Sequence, residues 1–266
     1  IAREGFASVT IPAAPYAKQG LRGRLVATVT LVSGIRQSRR ILRRHRADLL
    51  IGAGAYPSVA PILAARSLRI PIVLHEANIV PGLANRLGAR MADGMTLGWD
   101  ETRAMVPGVR THVCGNPVMP AIEALASLRT VSLAEDRHRR VLVVGGSGGS
   151  SFLNTRGAPL LARIAAEGIP VEAWHLTGHA GAVESTQAAY RACGVRARVE
   201  PFADDPTDVY RWADFAVSSA GAVTLAELAM AVLPALVVPP EHQSEDHQSP
   251  NAHAYARSSG SLCATE

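Results

Sequence analysis

The segment Val141-Leu-Val-Val-Gly145-Gly-Ser-Gly-Gly-Ser150 joins four apolar residues to a run of glycines and serines. An unbroken apolar run of this length fits a strand buried on both faces, as in a parallel sheet. The glycines then permit a tight turn and a close backbone approach to a ligand. From Ser150 onward a helix is predicted, and its N-terminus directs unpaired N–H groups and a positive dipole end toward the turn. A diphosphate is the natural guest of such a turn, with Gly146 offering backbone and Ser147 a hydroxyl. A plain strand-to-helix turn is the alternative.

Outward from this segment, short apolar runs alternate with helical stretches. The predicted strands are 48–51, 70–74, 94–97, 111–114, 140–144, 171–176, 197–199, 215–218 and 235–238. The predicted helices are 57–68, 82–92, 150–167, 182–192, 222–231 and 247–258. This alternation predicts an α/β fold with parallel sheets covered on both faces. A boundary is placed near Gly115-Asn116-Pro117, where a strand ends before the polar stretch 130–139 and a new βαβ series. Two α/β domains follow, 1–118 and 119–266, the first incomplete at its N-terminus. Ligands are expected in a cleft between them, at the C-terminal ends of the strands.

The charge divides at the same place. Residues 1–118 carry 16 Lys and Arg against 6 Asp and Glu, whereas residues 119–266 carry 11 against 16, within a formal net charge of +5. The basic half suits an anionic partner. Hydrophobic residues make up 48% and charged residues 18%, enough for packed cores, and aromatics only 5%, so the cores rest on aliphatic side chains. No apolar run reaches membrane-spanning length. Three scattered cysteines, Cys114, Cys193 and Cys263, fit a reducing compartment and match no metal-ligand spacing. The chain opens on Ile1 without a signal-peptide pattern and is expected to start inside a fold.

Further candidate loops follow other strands. In Ser218-Ser-Ala-Gly-Ala-Val-Thr224-Leu-Ala-Glu227 a strand turns at Gly221 into a helix. Thr224 and Glu227 fall in its first turns, where Glu227 suits two ribose hydroxyls or, alternatively, a simple helix cap. Glu241-His-Gln-Ser-Glu-Asp-His247-Gln248-Ser-Pro-Asn251 offers amides and carboxylates for sugar hydroxyls. The spacing of His242 and His247 matches no strong metal pattern, and a solvated polar loop is the alternative. In the first half, Gly52-Ala-Gly-Ala-Tyr56-Pro-Ser58 and His75-Glu76-Ala77-Asn78 each follow a strand. Glu76 and His75 are candidate acid–base groups if desolvated.

Leu25, Val29, Val32 and Ile35 recur at helical spacing ahead of Arg36, Arg39, Arg40, Arg43, Arg44 and Arg46. An apolar stripe beside a cationic segment suits an anionic lipid surface, and a core-facing helix with a solvated Arg face is the alternative. No aromatic residue interleaves with the arginines, which argues against nucleic acid.

Taken in order, these stretches resemble the MurG family of bacterial cell-wall glycosyltransferases. Gly52–Ser58 is similar to the family's GxGGY-x-S loop. His75–Asn78 with Gly82-Leu-Ala-Asn85 is similar to HEQN…GLxN. Gly115-Asn-Pro-Val118 is similar to GNPVR, and Gly145–Gly149 with Leu153-Asn154 to GGSQG and the residues after it. Ser219–Glu227 and Asp246–Ala252 are similar to RSGALTxxE and DHQxxNA. The resemblance implies a GT-B fold of two Rossmann-like domains. It implies an inverting transfer of N-acetylglucosamine from UDP-N-acetylglucosamine to an undecaprenyl-linked muramoyl-pentapeptide, lipid I. The product is lipid II for peptidoglycan synthesis, and with it cell-wall biogenesis, shape and division. The implied place is the cytoplasmic face of the bacterial cell membrane, bound peripherally, with no cofactor beyond the donor. By position it places Asn78 at the sugar donor, Ser147 on the diphosphate and Ala203 on the uracil. Ala222, Val223, Thr224, Leu225, Ala226 and Glu227 surround the nucleotide, with Glu227 on the ribose, and Gln248 reads the sugar. Leu25, Val29, Val32 and Ile35 form the membrane face.

The departures from the family are specific. Its first strand and GGTGGH loop, which carries a histidine proposed for catalysis, have no counterpart, nor do the residues that complete its second domain. Met119 stands where the family has a phosphate-contacting arginine, Ser219 where it has another arginine, and Gly148 where it has a glutamine. A thioether makes no charge-assisted bond. Two other readings follow: a related GT-B glycolipid glycosyltransferase with a different acceptor, and a truncated UDP-binding fragment without turnover.

Overall fold

The computed structural model describes residues 5–14, 20–128, 138–240 and 247–265. The chain divides into two compact units, Ile1–Gly115 and Asn116–Glu266. Both are α/β, with parallel sheets.

In the first unit helix α1 (Leu21–Arg44) precedes β1 (Leu50–Gly52), α2 (Val59–Leu68), β2 (Ile72–Glu76), α3 (Leu83–Ala89), β3 (Gly94–Leu97) and β4 (Thr111–Val113). The sheet order is β1-β2-β3-β4. Ile62 and Ala65 of α2 pack on Ile72, Leu74, Met95 and Leu97 of the sheet. Strand β2 begins two residues later than predicted, because Pro71 has no N–H to give a ladder. His75 and Glu76 are therefore the last residues of the strand, not the first of the loop.

Helix α1 packs on α2. Gly34 makes the approach possible: a Cβ there would lie 2.8 Å from the Pro12 carbonyl oxygen and 3.1 Å from Ala60 Cβ. Ala27, Gly34 and Ser38 form the inward face, and Leu25, Val29 and Val32 point to solvent. Ile35, expected beside them, sits half-buried on the flank, because its angular position falls between the two faces. No described helix is long and apolar enough to cross a membrane.

The second unit opens with the short helices α4 (Pro120–Glu123) and α5 (Leu125–Leu128). Then come β5 (Arg139–Val144), α6 (Ser151–Ala166), β6 (Val171–Leu176), α7 (Val183–Ala192), β7 (Arg196–Glu200) and α8 (Pro206–Trp212). The chain continues through β8 (Phe215–Ser218), α9 (Ala222–Met230), β9 (Ala235–Val237), α10 (Gln248–Ser259) and β10 (Leu262–Cys263). The sheet order is β10-β9-β8-β5-β6-β7. The earliest strand, β5, is central and ends in four consecutive buried residues, as its apolar run requires. The chain winds outward to β7, then crosses back to β8 on the other side of β5. This reversal leaves a crevice at the carboxyl ends of β5 and β8, where doubly wound sheets hold their ligands. The Gly145 turn and the Ser219–Gly221 loop leave the sheet at those two ends.

Helices α4, α5 and α8 and strand β10 were not predicted. Helix α8 had a readable start: Asp205 Oδ1 accepts from Thr207 N at 2.8 Å and Thr207 Oγ1 at 2.6 Å, with Pro206 at the first helical position.

Candidate functional site

In the second unit the Gly-rich turn is anchored at both ends. Ser150 caps α6, its Oγ accepting from Leu153 N at 3.2 Å. Gly149, in the left-handed region at φ +71°, lies directly on Thr177 and Gly178 beyond β6. A Cβ on Gly149 or on Gly178 would come closer than 3.0 Å to backbone atoms of the other turn. Behind this contact Asn154 of α6 bridges two elements. Its Nδ2 donates to the Thr177 carbonyl at 3.2 Å, so its Oδ1 faces His175 Nε2 at 3.0 Å. That orientation makes Nε2 the protonated nitrogen of His175. Nδ1 then accepts from the Tyr190 hydroxyl at 3.1 Å. His175 is fully buried, and desolvation pushes its pKa down to about 4. The same desolvation raises Tyr190. The brace extends onward, since Gly178 N donates to the Pro201 carbonyl at 2.9 Å.

A cavity of about 220 Å³ opens at the crevice. Gly146 and Ser147 form one side, Pro201, Phe202 and Ala203 another, and Tyr210, Thr224 and Glu227 a third, over a floor that includes Leu142 and Val144. The structure thus brings together Gly146, Ser147, Ala203, Thr224 and Glu227, which the sequence placed in three separate stretches. Ala222, Val223, Leu225 and Ala226 do not line the cavity. Helical periodicity sends only Thr224 and Glu227 toward it, with Leu225 in the core and Val223 in solvent.

Glu227 Oε2 accepts from the Tyr210 hydroxyl at 2.7 Å. Burial pushes the Glu227 carboxyl up, and this hydrogen bond opposes the shift. Desolvation, reinforced by the neighbouring Glu227 charge, raises the Tyr210 phenol. Tyr210 was missed by sequence reasoning, as was the apolar wall Pro201-Phe202. No spacing in the sequence links Tyr210 to Glu227; α8 and α9 bring them together.

Gln248 is the first residue of α10 and lies outside the cavity lining; its Oε1 is buried without a partner among the described residues. The adjoining Glu241–Asp246, including His242, fall outside the described residues. Asn251 Nδ2 donates to the Ala220 carbonyl at 3.3 Å, tying α10 to the loop after β8. Met119, at the start of α4, has its side chain half exposed.

In the first unit Glu76 is 3% exposed. Its Oε1 accepts from Asn78 N at 3.0 Å and Asn78 Nδ2 at 3.1 Å, and its Oε2 from Gly82 N at 3.1 Å and Asn85 Nδ2 at 2.8 Å. A carboxylate has about four lone-pair sites. All four have donors here, so the carboxylate holds the loop from Asn78 to Asn85 in place. His75 Nδ1 lies 3.0 Å from Thr96 Oγ1. That hydroxyl donates to the Leu74 carbonyl at 3.3 Å, so it accepts from Nδ1–H and leaves the lone pair on Nε2. Thr102 Oγ1 donates to the Asn78 carbonyl at 3.0 Å, holding that loop from β3's side. Ser58 Oγ donates to the Gly54 carbonyl within the first loop.

On α1 the apolar residues Leu25, Val29 and Val32 are 67%, 62% and 42% exposed. Arg36, Arg40 and Arg43 continue the same face toward the C-terminal end, all exposed.

Comparison with known proteins adds the following. Residues 1–97 match the glycosyltransferase family 28 N-terminal domain, and residues 140–266 match its C-terminal domain. Over 258 residues, 95% of this chain, it is 37% identical to a Geobacter sulfurreducens protein, the UDP-N-acetylglucosamine–N-acetylmuramyl-(pentapeptide) pyrophosphoryl-undecaprenol N-acetylglucosamine transferase. It is 39% identical over 239 residues, 88% of the chain, to the protein of the same name from Aeromonas hydrophila. The chain spans 69% and 64% of the length of these two relatives. The crystal structure of Acinetobacter baumannii MurG superposes with a TM-score of 0.68 at 28% identity, covering 95% of this chain and 69% of that one. The fold is therefore the α/β, GT-B type with two parallel sheets. With both domains of glycosyltransferase family 28 matched and more than a third of its residues shared with such relatives, the chain belongs to the MurG family.

Proposed function

We propose that this chain belongs to an inverting hexosyltransferase that moves N-acetylglucosamine from UDP-N-acetylglucosamine to lipid I, forming lipid II. The observation that carries this reading is the cavity in the second unit, where a Gly-rich turn, a hydroxyl pair and a carboxylate surround a space with an apolar wall. Each part suits one part of a nucleoside diphosphate. Gly146 and Ser147 face the diphosphate, Glu227 the ribose, and Phe202 with the backbone at Ala203 the base. The acceptor hydroxyl attacks the anomeric carbon as the bond to the diphosphate breaks, and the electron pair leaves on the phosphate oxygen. Charge therefore grows on the diphosphate, where the turn and the start of α6 present N–H groups.

In the same reading Glu76 is a positioning residue. Its four donors fix the loop that carries Asn78 at the sugar, while Gln248 reads the sugar from α10. His75, at the end of β2, is the candidate acceptor of the hydroxyl proton. No cofactor beyond the donor is required.

The unsubstituted chain is expected to bind UDP in a calorimetric titration, and Glu227→Ala to weaken it by about 1–3 kcal/mol. The loss is expected in full for uridine as well, because the carboxylate addresses the ribose. A variant that binds UDP as tightly as the unsubstituted chain rejects the role of Glu227. Absence of UDP binding by the unsubstituted chain rejects the donor reading itself.

We further propose that α1 docks on the anionic cytoplasmic face of the bacterial membrane. Leu25, Val29 and Val32 would enter the interface while Arg36, Arg40 and Arg43 meet lipid phosphates. Val29→Asp with Val32→Asp removes apolar area and adds two negative charges, so binding to vesicles containing phosphatidylglycerol is expected to fall at least about tenfold. Co-sedimentation equal to that of the unsubstituted chain counts against docking by this face.

A further inference from the structure

We propose that Ser219 is a diphosphate ligand, its hydroxyl and that of Thr224 together donating to one phosphate oxygen in the space that Gly146 leaves open. The proposal rests on the donor reading given above and adds a residue to it.

Ser219 follows β8, and its N–H donates to the Val144 carbonyl at 3.2 Å, which fixes it beside the end of β5. Its side chain is almost entirely enclosed, the residue being 3% exposed, and Oγ has no hydrogen-bond partner among the described residues. The preceding Ser218 behaves differently, donating to the Ser219 carbonyl at 2.8 Å. A buried hydroxyl without a partner is unfavourable, and folded proteins hold few of them. An alanine would fill the same place without that penalty. The orphan hydroxyl becomes reasonable when a ligand completes it.

The direction it faces identifies the ligand. An added Cβ on Gly146 would lie 3.6 Å from Thr224 Oγ1 and 3.9 Å from Ser219 Oγ. Two hydroxyls thus address the one small volume that a side chain at 146 would fill. Gly146 and Thr224 both line the cavity, so this volume adjoins it, with Ser219 Oγ enclosed just behind. Two rotatable O–H donors converging on one point suit an anionic oxygen with several lone pairs. The position is also one where the family pattern has an arginine.

The test uses the 266-residue chain titrated with UDP and, separately, with uridine. Ser219→Ala is expected to weaken UDP by about 5–10-fold while uridine changes less than about 2-fold. The thermal midpoint is expected to stay level or rise, because an unsatisfied buried hydroxyl has been removed. Ser219→Thr, which keeps the hydroxyl, should retain the preference for UDP over uridine. An equal loss on both ligands, or a UDP loss accompanied by a lower midpoint, assigns Ser219 to structure and overturns the proposal. Unchanged UDP affinity also overturns it. If the unsubstituted chain binds neither ligand, the donor reading fails and this proposal fails with it.

Discussion

Gly149→Ala is expected to destabilise the second unit by about 3 kcal/mol or more and to remove nucleotide binding in the same step. Two costs add. Position 149 is in the left-handed region at φ +71°, where an L side chain costs about 1–2 kcal/mol. The new methyl would also meet the Thr177 carbonyl at less than 3.0 Å, with Thr177 C and Gly178 Cα just behind. Those atoms are backbone, so they yield only if the two turns part. Parting them breaks the support that reaches Pro201 through Gly178 N, and with it one wall of the cavity. Trp174 and Trp212 lie edge to face at 5.6 Å in the same unit and report its unfolding by fluorescence. The urea midpoint is expected about 1–2 M lower. Gly148→Ala is the internal control: its added Cβ meets nothing within 4 Å, and the expected change is within about 0.5 kcal/mol. Equal midpoints for the two variants would falsify the close-approach account.

The contrast between Gly148 and Gly149 illustrates what was legible beforehand. The run Val141–Ser150 announced a buried strand, a turn and a helix, and the structure has all three. It could not say which glycine is indispensable, because that depends on Thr177 and Gly178, some thirty residues away. Parallel sheets followed from continuous apolar strands, and most strand and helix centres are where the pattern put them. Errors gathered where one local feature overrode periodicity, as at Pro71, or where an element was too short to have a period, as at β10.

The candidate site divides in the same way. Residues in glycine-rich or helix-start motifs were visible because the motif itself carries their chemistry: Gly146, Ser147, Thr224 and Glu227. Tyr210, Phe202 and Asn154 reach the site or its support through tertiary packing alone. Glu76 shows how far a motif alone reaches. A carboxylate after an apolar strand suggested proton transfer, and its burial fitted that. Only the positions of Asn78, Gly82 and Asn85 reveal that its lone pairs are already engaged.

His175 makes the stability of this support depend on pH in a definite direction. Its folded pKa of about 4 lies below the ordinary value of 6.5. As pH falls through 6.5 the unfolded chain takes up a proton that the folded one refuses until about pH 4. The histidine therefore imposes no penalty above about pH 7, and its destabilisation grows through the window between the two values. The full effect is about 3 kcal/mol, of which about 2 kcal/mol has developed by pH 5. His175→Phe removes the titration but orphans Asn154 Oδ1 and the Tyr190 hydroxyl, so it is expected to be less stable at pH 7 by about 2–4 kcal/mol. The decisive quantity is the difference of differences. Between pH 7 and pH 5 the unsubstituted chain is expected to lose about 2 kcal/mol more than the variant, followed by urea unfolding at each pH. Parallel loss in both would mean that His175 takes up its proton in the folded state at ordinary pH. The pairing deduced for its ring, Nε2–H to Asn154 and Nδ1 from Tyr190, would then be wrong. If the expected difference is found, the folded histidine stays neutral down to about pH 4, so the Asn154 and Gly149 contacts, and with them nucleotide binding by the folded chain, should hold through the window in which stability falls.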